Sequence, residues 1–80
     1  PNPFNPIINI NLNIVDSDYL DISIFDINGK KIYEIFEGYK HFGKYEYRWD
    51  AAHLSSGIYY VVSKNSDNKE IVSQKIFLIK

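Results

Sequence analysis

The feature that most constrains this chain is a period of two. In Ile8-Asn9-Ile10-Asn11-Leu12-Asn13-Ile14, apolar and amide side chains alternate without a break. On an extended backbone this puts every apolar group on one side and every asparagine on the other, as in a strand with one buried face. A helix would scatter the same residues around its circumference. The run Leu20-Asp21-Ile22-Ser23-Ile24-Phe25 alternates again until Phe25 breaks the pattern. Asn28-Gly29 follows, a pair that accepts positive φ and predicts a two-residue type I′ hairpin turn. The return strand reads Lys31 to Phe36, and residues 37–43, bracketed by Gly38 and Gly43, read as a loop.

Tyr45-Glu46-Tyr47-Arg48-Trp49 alternates aromatic and charged residues. Asp50 to Ser56 interrupts the strand pattern, and its Ala-Ala-His-Leu segment suits one helical turn capped by Asp50. Gly57 opens a strand through Ile58-Tyr59-Tyr60-Val61-Val62. Asn65 to Asn68 is a turn cluster, and a last strand runs from about Glu70 to Ile79. β-branched and aromatic residues fill these windows, as a pleated surface prefers. The expectation is all-β: an antiparallel β-sandwich of six to seven strands, the seventh arising by splitting the first or last. Residues 1–80 make one domain, with 1–6 as an extended Pro/Asn-rich lead-in.

Size and charge narrow the function. A chain of 80 residues buries roughly 60–65% of its unfolded surface, enough for one continuous core and no interdomain cleft. A formal net charge of -1 supplies no field for a phosphate backbone, so nucleic acid is excluded as a partner. No run approaches the ~18 apolar residues of a membrane helix. The absence of cysteine removes disulfides, thiolate metal sites and thiol nucleophiles. The absence of methionine implies that the chain is a piece of a longer product.

Little catalytic chemistry is legible. Asp50, His53 and Ser55 are the residue types of a hydrolytic triad, but they crowd into one short segment, whereas triad members converge from separate elements. A turn explains them better. His41 and His53 do not complete a zinc tetrad. Asp16, Asp18 and Asp21 resemble calcium ligands, without the central glycine and terminal glutamate of a calcium loop. No enzyme, cofactor or metal is therefore expected. Tyr45, Tyr47 and Trp49 share a strand face and invite a carbohydrate reading, although a small sandwich needs Tyr47 and Trp49 inside. Asn9, Asn11 and Asn13 form a solvent face or an exposed edge for another chain.

Four segments in order carry a resemblance over essentially the whole chain. They are Pro1-Asn2-Pro3-Phe4-Asn5-Pro6; Ile24-Phe25-Asp26-Ile27-Asn28-Gly29-Lys30; Trp49-Asp50 with Leu54-Ser55-Ser56-Gly57-Ile58-Tyr59; and Lys75-Ile76-Phe77-Leu78-Ile79-Lys80. Together they resemble the C-terminal sorting domains of the bacterial type IX secretion system (the type A, or Por secretion, signal). Ile7, Ile8 and Asn9 stand where the family usually has threonines, and Tyr45 where a histidine is common.

The resemblance implies an immunoglobulin-like sandwich of seven strands. It also implies a non-catalytic signal that takes an upstream, covalently joined cargo through the periplasm to the cell surface or medium. Its implied partners are the outer-membrane translocon, its shuttle and a sortase. Under that reading the recognition motif comprises Pro1, Asn2, Pro3, Phe4, Asn5, Pro6, Gly29, Gly57, Tyr59, Lys75 and Lys80. Gly29 and Gly57 serve backbone geometry, Asp26 and Asp50 brace turns, and Lys75 and Lys80 contact the machinery. Two alternatives remain open at this point: an immunoglobulin-like module polymerising edge to edge into a fibre or sheath, and a carbohydrate-binding accessory module.

Overall fold

The computed structural model describes residues 6–80. It contains β1 (Ile7–Ile14), β2 (Asp18–Asp26), β3 (Lys31–Lys40), β4 (Gly43–Asp50), β5 (Gly57–Lys64) and β6 (Glu70–Leu78), with no helix among the described residues. All pairings are antiparallel. β1 pairs with β4 in a two-stranded sheet, and the second sheet has the order β3-β2-β5-β6. The result is an immunoglobulin-like sandwich with six described strands, one fewer than the resemblance implies.

Alternation places the core. Ile10, Leu12 and Ile14 of β1 face Leu20, Ile22 and Ile24 of β2, with Trp49 of β4, Tyr59 and Val61 of β5, and Ile76 and Leu78 of β6 in the same buried cluster. Each such side chain, once buried, stabilises the fold by about 1.5–3 kcal/mol. Trp49 joins the layers: its ring lies 6.1 Å from Tyr59, edge to face, and 6.4 Å from Tyr33 of β3, stacked. Asn9, Asn11 and Asn13 are exposed, paired in register with Arg48, Glu46 and Lys44 of β4. The aromatic row of β4 turns inward: Trp49 is buried and Tyr45 and Tyr47 pack against the core, as the small sandwich required. Lys40 closes one end, its ammonium 4.2 Å from the Phe36 ring centre and 4.0 Å from that of Tyr45.

The structure corrects several expectations. Asn28 is not left-handed; Gly29 alone in that turn has positive φ, at 81°. The Gly29 amide donates to the Asp26 carbonyl and the Asp26 amide to the Lys30 carbonyl. This is a three-residue loop with a glycine bulge rather than a two-residue type I′ turn. Asp26 braces it as expected, its Oδ1 accepting from the amides of Asn28 and Lys30. The turn from Asn65 to Lys69 repeats the plan: Asn65 Oδ1 accepts from Asp67 and Lys69, and Asn68 takes the left-handed position at φ 60°.

Residues 37–43 are not a loop. β3 continues to Lys40, leaving only His41 and Phe42 between strands. Gly38 permits this with φ 149°, where an added Cβ would lie 3.3 Å from Phe36 Cζ. The register of β2 against β3 slips between Ile22 and Ser23 and again between Ile24 and Phe25, leaving Ile35 and Ile32 as bulge residues. These bulges erase the alternation along β3. The segment after Asp50 is a turn and not a helix: Asp50 Oδ1 accepts from the Ala52 amide and the Ala51 carbonyl from the Leu54 amide.

Candidate recognition surface

The residues expected to form a recognition motif fall into different environments. Pro1, Asn2, Pro3, Phe4 and Asn5 lie outside the described residues. Pro6 is the last step into β1, and its carbonyl accepts from the Ala51 amide at 3.0 Å. Gly29 serves the β2–β3 turn. Gly57 begins β5 without positive φ, and an added Cβ would meet Tyr59 Cε2 at an ordinary 3.9 Å; neither φ nor space demands glycine there. Tyr59 is a core residue, buried beside Trp49, with its hydroxyl donating to the Ser55 carbonyl at 2.7 Å.

The two lysines differ in kind. Lys80 is drawn back onto the protein: its amide donates to Ser56 Oγ and its ammonium to the Ala52 carbonyl. It fastens the end of the chain to the β4–β5 turn. Lys75 points outward from β6, its Nζ 5.6 Å from the Phe77 ring centre. The cross-strand neighbours of Lys75 and Phe77 are Tyr60 and Ile58 of β5. Phe77 is 64% exposed and Ile79 is 84% exposed. Neither belongs to the expected motif, yet at and just past the end of β6 they form an outward-facing apolar patch beside Lys75. The sequence shows the apolar run but not which of its members face out; that follows from Ile76 and Leu78 taking the core side.

Other residue combinations do not assemble. Asp50 and His53 line a shallow hollow with Tyr33, Trp49 and Leu54, and Ser55 is not among its lining. Asp16, Asp18 and Asp21 do not converge: Asp18 is engaged by the Tyr19 amide and Ser66 Oγ, while Asp21 bonds Ser23 and Lys31. The acidic groups that do meet are Asp21, Glu34 and Glu37, and Lys31 stands among them, 2.9 Å from Asp21 and 3.7 Å from Glu34. Burial pushes the Asp21 carboxyl up, but hydrogen bonds from Ser23 and Lys31 and nearby lysine charge outweigh it and hold it below its usual range. The hydrogen bond to Asp21 raises the Lys31 ammonium, against a smaller effect of burial.

The family model described as "Secretion system C-terminal sorting domain" matches residues 1–80. No curated protein and no solved structure matches the chain significantly.

Proposed function

The chain belongs to the family of secretion system C-terminal sorting domains, and from that premise we propose how it is read. The domain is a sorting signal of type IX secretion, directing cargo out of the cell to its surface or beyond. The fibre and carbohydrate readings find no support.

In our reading, residues 1–80 act as one non-catalytic unit joined to an upstream cargo, with 1–6 as the lead-in. The unit passes through the periplasm folded and is met by the translocon, its shuttle and the sortase. Contact falls on the outward patch at the end of β6, formed by Lys75, Phe77 and Ile79 beside Ile58 and Tyr60. The exposure of Phe77 and Ile79 carries this reading, because large apolar groups held beside a cation suit a partner's surface.

The family's terminal strand invites a test by deleting residues 75–80. That deletion also excises Ile76 and Leu78 from the core, so it confounds export with unfolding. Substitutions confined to the exposed side separate the two. A reporter carrying an export signal peptide and this domain, expressed in a bacterium with a type IX system, is the assay. Phe77→Ser with Ile79→Ser is expected to keep the β circular dichroism spectrum and cut surface reporter several-fold. Undiminished export by the folded double variant overturns the patch as the contact.

A further inference from the structure

The four sheet edges of the described residues are not alike. β3 is bulged twice and carries Lys31, Glu34, Glu37 and Lys40, and β4 carries Lys44, Glu46 and Arg48. Charges and bulges of this kind keep an edge from pairing with another chain. β6 has Lys75 inside its span. β1 has no charge at all, and its register against β4 runs without a shift from Ile7 to Ile14. Among the described residues no strand pairs with its other edge.

The sequence of that edge is self-complementary. About Asn11, an antiparallel second copy would place Ile10 against Leu12, Asn9 against Asn13, Ile8 against Ile14 and Ile7 against Val15. Like meets like at every step, and Asn11 meets itself. The hydrogen-bond phase agrees. The Pro6 carbonyl accepts from the Ala51 amide, and in the uninterrupted register the even-numbered residues therefore spend their backbone groups on β4. The odd-numbered residues, Ile7, Asn9, Asn11 and Asn13, direct theirs to the open side. A two-fold axis at Asn11 pairs odd with odd. Each such pair exchanges two hydrogen bonds, so the three asparagine pairings alone close about six. Val15, 75% exposed just past the end of β1, gains Ile7 of the second copy as a neighbour.

We propose that β1 is a homodimerisation edge, pairing antiparallel with β1 of a second copy about a two-fold axis at Asn11. The arrangement is isologous, so it closes on itself and consumes the open edge. It goes beyond the sorting role and stands or falls apart from it.

Sedimentation equilibrium of the 80-residue chain, with backbone amide exchange, tests the proposal. The mass is expected to double as concentration rises. In the same series the amides of Asn9, Asn11 and Asn13 gain protection, while those of Ile8, Ile10 and Leu12 are protected throughout. Asn11→Lys places two ammonium groups together on the axis, yet within one chain it faces Glu46 across the register, so the fold is kept. That variant is expected to stay monomeric with a parent-like thermal transition. A parent that remains monomeric, a dimer indifferent to Asn11→Lys, or a dimer whose odd-numbered amides stay unprotected overturns the proposal.

Discussion

Two fully buried serines make opposite predictions from the same substitution. Ser63 of β5 is 0% exposed and its hydroxyl has no hydrogen-bond partner among the described residues. Ser23 of β2 is also 0% exposed, but its hydroxyl donates to the Asp21 carboxylate. Ser63→Ala removes a desolvated, unpaired hydroxyl whose burial costs about 1–2 kcal/mol. The lost oxygen leaves a void too small to offset more than a few tenths of that figure. Ser23→Ala strips a bond to a charged acceptor and costs about 1–2 kcal/mol, with Asp21 left to Lys31 alone. For a domain of this length, ~1 kcal/mol corresponds to about 4–8 °C in Tm. Thermal melts by circular dichroism should therefore move in opposite directions: Ser63→Ala upward by about 3–14 °C, Ser23→Ala downward by about 4–16 °C. Equilibrium urea unfolding should agree in sign. A Ser63→Ala protein less stable than its parent would refute the reasoning.

Three further expectations use the turns, the sheet end and the surface charges. Asn68→Gly should stabilise by about 0.5–1 kcal/mol in urea unfolding, since φ 60° suits glycine, while Gly29→Ala should cost about 1 kcal/mol although its Cβ meets nothing. Lys40→Ala should cost about 1–2 kcal/mol by exposing Phe36 and Tyr45, and Lys40→Met should recover the share due to the aliphatic stem. The Asp21–Lys31 pair should give a broad stability plateau in pH-dependent melts, worth less than about 1 kcal/mol because water still reaches and screens both groups. Asp21 is held low, so its share is present above about pH 3.9 and lost as pH falls through its folded pKa; Lys31 is raised, so its share is full below about pH 10.4 and lost as pH rises through its own. Asp21→Asn should flatten the acid limb, and an unchanged limb would remove the pair from the account.

The strands were legible wherever one face is buried and the register is unbroken. Ile8 to Ile14 and Tyr45 to Trp49 needed nothing but alternation. β3 was legible only in its first half, because its bulge residues Ile32 and Ile35 shift the inward set mid-strand and Gly38 allows extended chain where glycine suggested a loop. Asn28-Gly29 gave the hairpin but not its type, which Asp26 decides by taking the amides of Asn28 and Lys30. Partner choice was beyond a period-two pattern: nothing local says that β2 lies between β3 and β5. The same limit applies at the chain end. Lys75 and Lys80 look equivalent as two cations flanking an apolar run, and only the fold shows one turned back onto the Ala52 carbonyl and the other turned out.

The central claim is that these residues suffice as an export address. The most direct measurement is the surface and medium fraction of a reporter, otherwise retained in the periplasm, with residues 1–80 fused behind it in a type IX-competent bacterium. Export is expected with the domain, retention without it, and retention of the fusion in a strain lacking the translocon. A fusion that stays in the periplasm although its β-sandwich is folded, or that leaves equally well without the translocon, contradicts it.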